Sequence, residues 1–312
     1  MRSYLTQRAW ETLRRASLHP WRAINGTLDA IFYDIGALSS EERAGLSAFA
    51  GPEGSVLVVH PASRRRAIRS LSPWDFVGEQ SAGDGEPVDA VAVAGVGSSA
   101  LGTAALARNV ADHLDRPVAA VVAGLGLSDV LAEAWGGWFV LGAANRLRDY
   151  LARAFDALEL EDHVRDPTSH EAVSDELRVA AIERERFIYG SPDSTALLYL
   201  LLKLGPRLRL LVGHSKGNYS IANALEGWLS ARRRAGAPAP RDLCVVTLGA
   251  VIRFPEELSD VHQFLGQADY FGWLNSRHLV DHVDVPGAWH SLNSLLPGHL
   301  SVDEALRRAG VA

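Results

Sequence analysis

The sequence predicts an α/β protein with a mostly parallel central sheet and helices on both faces of that sheet. Short, near-continuous apolar runs recur along the chain, and helical spacing of apolar residues follows many of them. Such runs are typical of parallel strands that are buried on both faces. The 312 residues suit one large domain with an insertion, and a content of 47% apolar and 22% charged residues is that of a globular protein.

Charge and cysteine content narrow the class of protein. The formal net charge of −6 gives no reason to expect a nucleic-acid partner. Cys244 is the one cysteine, so no internal disulfide is expected and a reducing compartment fits. No run approaches the ~20 apolar residues of a membrane span, and no apolar segment typical of a secretory signal follows the basic N-terminal residues. These features predict a soluble, cytoplasmic protein.

Residues 1–50 predict a helical extension to the α/β core. Apolar positions between residues 4 and 18 lie roughly on one helical face, and a second apolar stretch covers residues 28–35. Ser39 and Glu42 form a capping-box pattern that starts another helix. Residues 1–22 carry five arginines against one glutamate. Two interpretations of this basic segment stay open: a helix packed on the body of the protein, or contact with an anionic membrane surface or a protein partner.

Strands and helices alternate in residues 51–134. A predicted helix covers residues 100–113, and the arginines between residues 64 and 69 suit the solvated face of another helix. The predicted strands are residues 55–60, 88–94 and 117–123. Alternation of this kind favours parallel strands joined by helical crossovers, so this segment is assigned to the core.

The segment 135–190 interrupts the alternation. It contains Trp135, Trp138 and Phe139, followed by charged stretches with helical spacing. Because it is too long for a plain connection, we interpret it as an inserted cap or lid. A helical decoration without a gating role is the other open interpretation.

The α/β pattern resumes in residues 191–312. Pro192 suits the first turn of a helix that ends at Gly205-Pro206. Ser301 and Glu304 predict the start of a last helix that ends at Gly310. The predicted strands are residues 208–212, 243–248, 261–265 and 279–285.

A sharp turn at residues 213–217, Gly-His-Ser-Lys-Gly, carries the strongest chemical signal. An apolar strand precedes the turn and helical spacing follows it. A strand that turns abruptly into a helix exposes its central side chain, and its neighbours must be small because strand and helix approach closely. The first N–H groups of the helix can bind a developing negative charge. The pattern predicts Ser215 as a nucleophile and the N–H of Lys216 as an oxyanion donor; a glycine-rich turn without chemistry is the alternative.

At this motif the chain resembles the α/β-hydrolase family of serine esterases, lipases and thioesterases, over about residues 55–312. The resemblance implies an α/β-hydrolase fold and a triad in the chain order serine, acid, histidine. In the family the acid follows the second strand beyond the serine and the histidine follows the third, which here indicates Asp269 and His290. Asn218 departs from the family pattern, since many members carry another glycine there.

Alternatives compete for the acid and the histidine. Asp284 is the alternative to Asp269, but it lies in or at the end of a predicted strand, where the family does not usually place its acid. His299 is the alternative to His290, and it lies two residues before the capped last helix.

The resemblance also implies a second oxyanion donor after the strand at 88–94. Val96 is the first candidate and Gly97 the second, because glycines there let backbone N–H groups face a pocket. Ser98 and Ser99 suit a helix-capping role instead.

The expected reaction is hydrolysis of a small-molecule or lipid-like carboxylic ester through an acyl-serine, without cofactor or metal. The aromatic residues at 135–139 favour an acyl group of moderate to long apolar chain. Thioester cleavage, acyl transfer to another alcohol and a non-catalytic binding scaffold stay open.

Two other patterns support competing functions less well. Gly95-x-Gly97-x-x-Ala100 is a permitted dinucleotide fingerprint, but Asp115 lies before the next predicted strand, and the fingerprint needs an acid at the end of that strand. His278 and His282, with Asp281 and Asp284 nearby, suggest a metal site without an obvious third ligand. A half-exposed polar strand explains the pattern of these residues without a metal.

Overall fold

The computed structural model describes residues 28–48, 54–64, 66–95, 98–123, 191–277 and 279–312. Within these ranges one eight-stranded sheet has the spatial order β2-β1-β4-β3-β5-β6-β7-β8. The strands are β1 (Val56–Val59), β2 (Arg69–Leu71), β3 (Ala90–Val93), β4 (Val118–Val121), β5 (Leu210–His214), β6 (Cys244–Leu248), β7 (Val261–Gly266) and β8 (Val283–Val285). Strand β1 runs antiparallel to β2 and β4, and the other neighbouring pairs are parallel. The predicted α/β class with a mostly parallel sheet is confirmed.

Helices cover both faces of the sheet. They are α1 (Ser40–Ala48), α2 (Pro73–Ala82), α3 (Ala100–Leu114), α4 (Pro192–Leu204), α5 (Gly217–Arg234), α6 (Tyr270–Leu274) and α7 (Val302–Arg308), with short 3-10 turns at Ile35–Ala37, Ala62–Arg64 and Gly205–Arg207. Side chains of α3, α7 and the segment 28–46 share one hydrophobic core. Side chains of α2, α4 and α5 form a second core on the opposite face.

The central strands are apolar throughout because both of their faces are buried. In β3, Ala90 and Ala92 belong to the core with α3, whereas Val91 and Val93 belong to the core with α4 and α5. All of these side chains are fully buried. A strand between two helical layers has no solvated face, so it carries no polar alternation.

Serine side chains fix the starts of several helices. Ser39 Oγ accepts a hydrogen bond from the Glu42 N–H at 3.2 Å, and the Ser39 N–H donates to Glu42 Oε2 at 2.8 Å, which is the reciprocal pairing of a capping box before α1. Ser99 accepts from the Leu101 N–H at 3.0 Å and thereby caps α3. The other capping serines, at α2, α4 and α7, are Ser72, Ser191 and Ser301.

Two parts of the predicted pattern are wrong. Arg69 does not lie on a solvated helix, because it begins the edge strand β2. An exposed edge strand does not alternate buried apolar and exposed polar residues, so its sequence gives little indication of a strand. The last strand is also shorter than residues 279–285: β8 covers only Val283–Val285, and Leu279 is fully exposed. His282 therefore precedes the strand.

Several predicted features lie outside the described residues: the basic segment 1–22, the insertion 135–190, Val96, Gly97 and His278. Part of the predicted N-terminal extension is described, and its side chains Tyr33, Leu38 and Leu46 are buried in the core that contains α3. Within the described ranges, no helix combines the length and the apolar character that crossing a membrane requires.

Candidate active site

Ser215 lies at the junction of β5 and α5, in a strained backbone conformation. Its φ is 53°, in the left-handed region, which costs a residue with a Cβ roughly 1–2 kcal/mol. The Ser215 N–H donates to the carbonyl of Leu248, at the end of β6, at 2.9 Å. This hydrogen bond holds the turn against the neighbouring strand, and the Ser215 hydroxyl points toward His290.

The two glycines of the turn are required by close contacts. A Cβ on Gly217 would lie 2.2 Å from the carbonyl oxygen of Val93, and a Cβ on Gly213 would lie 2.3 Å from Asn218 Oδ1. Neither separation is possible for non-bonded atoms, so any larger residue would push α5 away from the sheet. Asn218 itself donates through Nδ2 to the carbonyls of Leu248 and Ala250, at 3.1 and 2.9 Å, and so fastens the start of α5 to the loop after β6.

Ser215, His290 and Asp269 form a continuous chain of hydrogen bonds. His290 Nε2 is 3.0 Å from Ser215 Oγ, and His290 Nδ1 is 2.9 and 2.8 Å from the two carboxylate oxygens of Asp269. The three residues follow β5, β8 and β7, whose carboxyl ends meet at one edge of the sheet. Because a carboxylate only accepts hydrogen bonds, Nδ1 carries the proton, and Nε2 accepts from the serine hydroxyl.

Asp269 is buried but fully hydrogen-bonded. Its side chain is withdrawn from solvent, and the residue is 1% exposed. Besides the imidazole, Oδ1 accepts from the Gly272 N–H at 2.6 Å at the start of α6. Backbone and imidazole donors thus replace the water that an exposed carboxylate would bind. Such a carboxylate can hold one tautomer of His290 and stabilise the imidazolium that forms when the ring takes a proton.

The competing acid and histidine lie elsewhere. Asp284, on β8, is exposed, and its oxygen is 3.5 Å from His282 Nε2. His299 Nδ1 contacts the carbonyl of Leu296 within its own turn, at 3.2 Å. The geometry therefore joins Asp269 and His290, rather than Asp284 or His299, to the serine.

The proposed oxyanion donors are described only in part. Lys216 directly follows Ser215 and is the N-cap residue of α5, the position that the sequence predicts for the first donor. Val96 and Gly97 are not among the described residues, but the loop is held on both sides of them. The N–H of Gly95 donates to the Tyr33 hydroxyl at 2.7 Å.

The carboxylate of Asp29 holds the other side of this loop. Asp29 is fully buried, and it accepts from the Ser99 hydroxyl at 2.5 Å and from the Ser99 N–H at 3.2 Å. Burial raises the pKa of Asp29 to about 6, against the opposing effect of these hydrogen bonds. The sequence pattern gave no sign of this residue, because it lies 70 positions from its partner.

A second buried histidine lies against the first. The rings of His214 and His290 have centroids 4.8 Å apart, and His214 Nε2 is 3.1 Å from the backbone carbonyl of His290. Burial, and then the nearby His290 ring, hold the pKa of His214 well below its ordinary value, so this imidazole is neutral. Since a carbonyl only accepts, Nε2 carries the proton, and Nδ1 accepts from the Tyr33 hydroxyl at 3.0 Å.

Tyr33 thus connects three loops at the carboxyl edge of the sheet. Its hydroxyl accepts from Gly95, after β3, and donates to His214, at the serine turn. His214 in turn donates to the backbone of His290, after β8. The sequence pattern gives no sign of this connection, because Tyr33 lies 181 residues before the histidine of the motif.

Two phenylalanine side chains flank the His290 ring. The ring centroids of Phe32 and Phe271 are 5.6 and 6.1 Å from that of His290. Phe271 is 58% exposed, and Tyr270 and Trp273 on the same helix, α6, are exposed to a similar extent. Exposed aromatic surface beside a buried polar group offers contact area to an apolar ligand.

Comparison with known proteins finds no family model, no curated protein and no solved structure that matches this chain. The geometry of the site is a strained serine, an imidazole that can accept its proton and a buried carboxylate that orients the imidazole.

Proposed function

We propose that this protein is a serine hydrolase of the α/β-hydrolase fold that cleaves a carboxylic ester through an acyl-serine intermediate. One observation carries the proposal: Ser215 Oγ, His290 and Asp269 form one chain of hydrogen bonds, with no link longer than 3.0 Å. A serine hydroxyl is a weak nucleophile until a base takes its proton, and this arrangement supplies the base and its orienting group.

The positions of the three residues in the sheet support the same assignment. Ser215 follows β5, Asp269 follows β7 and His290 follows β8. This is the chain order serine, acid, histidine that the family resemblance implies, with the acid after the second strand beyond the serine. The left-handed φ of Ser215 is also the conformation expected of a nucleophile at a strand-to-helix turn.

The reaction proceeds through two acyl transfers. Ser215 Oγ attacks the ester carbonyl carbon while its proton passes to His290 Nε2. The N–H of Lys216 and a donor from the loop at Val96 and Gly97 bind the oxyanion that forms. The intermediate collapses, the alcohol leaves with the proton from His290, and the acyl group remains on Ser215. A water molecule then attacks the carbonyl carbon of the acyl-serine and gives a proton to His290. His290 returns this proton to Ser215 Oγ as the bond to the acyl group breaks, which releases the carboxylic acid and the free serine.

The apolar surface beside His290 supports an ester with an apolar acyl chain. Phe32 and Phe271 flank the imidazole, and the exposed aromatic residues of α6 extend this surface outward. Burial of each additional CH₂ group against such a surface contributes about 0.8 kcal/mol. We therefore expect longer acyl chains to react faster than acetyl.

Labelling with a fluorophosphonate probe tests the proposal. The full chain should react at Ser215, and the Ser215→Ala and Ser215→Gly variants should not. Glycine accepts the left-handed backbone of this position, so Ser215→Gly guards against loss of labelling through misfolding. Absence of labelling in the parent, under conditions that label a control esterase, would instead favour a non-catalytic binding scaffold.

A substrate panel then defines the reaction class. We expect p-nitrophenyl esters of increasing acyl length to be hydrolysed with rising kcat/KM, and Ser215→Ala to lower kcat by a factor on the order of 10⁵–10⁶. Much faster cleavage of acetyl than of longer esters would refute the apolar preference but leave the hydrolase intact. Faster cleavage of acyl thioesters would assign the triad to a thioesterase, and acyl transfer to an added alcohol would assign it to a transferase.

A further inference from the structure

The opposite edge of the sheet brings together a thiol, a carboxylate and an imidazole. Cys244 is the first residue of β6, Asp260 immediately precedes β7 and His262 is the second residue of β7. Val245 pairs with Val261 and Val246 with His262, in parallel register. Side chains alternate along a strand, so Cys244, Asp260 and His262 project from the same face of the sheet. One donor atom from each lies within 4.8 Å of the other two.

Asp260 lies between the other two groups. Its Oδ1 is 2.7 Å from His262 Nε2, and its carboxylate also accepts from the Cys244 thiol. The Cys244 residue is 9% exposed, but the side chains of His262 and Asp260 are 36% and 47% exposed. The cluster thus has one fixed, buried donor and two donors at the surface that can rotate.

This arrangement does not suit a nucleophilic cysteine. Burial, and then the Asp260 charge, raise the pKa of the Cys244 thiol to about 12. A reactive cysteine needs the opposite surroundings, with a neighbouring cation or imidazolium that stabilises the thiolate.

We propose that Cys244, Asp260 and His262 bind a divalent transition-metal ion of the Zn²⁺ class, with water completing the coordination. Thiolate, imidazole and carboxylate are together the ligand types that Zn²⁺ takes in proteins, at metal–ligand distances of about 2.0–2.3 Å. Such bond lengths separate tetrahedral donors by roughly 3.5 Å. Asp260 Oδ1 and His262 Nε2, which are 2.7 Å apart, must therefore move slightly apart around the ion. Binding releases the thiol proton to solvent and leaves the Cys244 sulfur as thiolate.

The metal site is structural rather than catalytic. Strand β6 runs from Cys244 to Leu248, whose carbonyl accepts from Ser215, so the two sites lie roughly 13 Å or more apart at about 3.3 Å per residue. A bound ion would join β6 to β7 and bind only the folded chain. We therefore expect it to raise the stability of the protein without taking part in the reaction at Ser215.

Titration of the full, reduced chain with Co²⁺ tests the site directly. Because Cys244 is the one cysteine, a sulfur-to-cobalt charge-transfer band reports on this residue alone. We expect the band to saturate at one ion per chain, with a Kd on the order of micromolar or tighter, and to disappear when Zn²⁺ displaces Co²⁺. Cys244→Ser should abolish the band, and His262→Ala should weaken binding by at least about 100-fold.

A matched variant distinguishes this site from other carboxylate–imidazole pairs. His282→Ala removes the partly buried imidazole near Asp284 and should leave the titration unchanged. Zn²⁺ should also raise the unfolding midpoint of the parent and of Ser215→Ala, but not that of His262→Ala. A titration without a charge-transfer band, or a Zn²⁺ effect on the midpoint that survives in His262→Ala, would overturn the proposal. Neither result depends on whether the protein is a hydrolase.

Discussion

Strand β7 has an aspartate–histidine hydrogen bond at each of its ends, and the two pairs differ in their surroundings. At the carboxyl end, Asp269 and His290 are 2.8 Å apart, with side chains that are 0% and 9% exposed. At the amino end, Asp260 and His262 are 2.7 Å apart, with side chains that are 47% and 36% exposed. The hydrogen-bond lengths are nearly equal, so distance alone does not distinguish the two pairs.

The third group and the degree of burial do distinguish them. The Gly272 N–H holds the Asp269 carboxylate, and the His290 ring faces the Ser215 hydroxyl. The imidazole therefore has one orientation, in which Nε2 is the nitrogen that can accept a proton. The Asp260 pair is screened by water, where an ion pair contributes little, and it lies beside a protonated thiol. The buried pair suits the proton transfer that we propose, whereas the exposed pair can rearrange around the cation that we propose.

The largest expected effect comes from changing the buried pair itself. Asp269→Asn should lower kcat about 10⁴-fold, because an amide can donate to Nδ1 and so stabilise the wrong imidazole tautomer. The Asn oxygen can still accept from Gly272, so the unfolding midpoint should change little. The measurement is steady-state hydrolysis of the best p-nitrophenyl ester from the panel.

Asp284→Asn is the matched control for that variant. Asp284 is also within reach of an imidazole, but it is exposed on β8 and lies away from Ser215. It should retain the parent's kcat. Equal losses in the two variants would mean that the buried pair has no special part in the reaction.

Asp29 is a buried carboxyl group that has no imidazole partner among its hydrogen bonds within the described residues, so its pKa shows the effect of burial apart from that of pairing with a histidine. The folded-state pKa of Asp29 is about 6, above the ordinary 3.8, so between these pH values the folded chain keeps a proton that the unfolded chain has released. The stability that the protonated Asp29 side chain contributes to the folded state is therefore complete below pH 3.8, and it is lost as the pH rises through about 6. The shift corresponds to at most about 3 kcal/mol.

Urea unfolding of the parent and of Asp29→Asn measures this effect. Relative to the variant, the parent should lose up to about 3 kcal/mol of unfolding free energy between about pH 4 and about pH 7.5. The difference between the two proteins cancels the titration of other groups, because both carry them. Parallel stability curves over this interval would contradict the raised pKa.

The central strands and the serine turn could be predicted because both have local causes. Strands buried on both faces are apolar throughout, and Gly213 and Gly217 are required by contacts within one strand–turn–helix unit. The edge strand β2 could not be predicted in the same way, since its arginine and serine residues are exposed and resemble a solvated helix. The apolar pattern of a local sequence indicates which residues are buried, and an edge strand has few buried residues.

The sequence pattern does not predict contacts between distant segments of the chain. Asp269 and His290 are expected from the strand order of the family that the chain resembles. Tyr33 reaches His214 across 181 residues, and Asp260 with His262 meets Cys244 only because β6 and β7 are neighbours in the sheet. The spacing of His278 and His282 suggests a metal site only if both lie on one strand, but β8 begins after both.

The smallest of the three effects concerns the second buried histidine. Tyr33→Phe removes the hydroxyl that accepts from the Gly95 N–H and donates to His214 Nδ1, and leaves both buried groups without that partner. An unsatisfied buried polar group costs about 1–3 kcal/mol, so we expect a loss of about 2 kcal/mol in unfolding free energy. The His290 backbone is held through His214, so kcat should also fall about tenfold while KM stays similar.

Tyr219→Phe provides the comparison for that variant. The Tyr219 hydroxyl also makes a partly buried hydrogen bond, to the Asn275 carbonyl at 2.6 Å, but it takes no part in the connection between Gly95 and His290. It should lower the unfolding free energy by no more than about 1 kcal/mol and leave kcat unchanged. If Tyr33→Phe lost stability while keeping full kcat, Tyr33 would support the fold without positioning His290. A fall in kcat confined to Tyr33→Phe would show that the two neighbouring imidazoles act together, one fixed so that the other can move a proton.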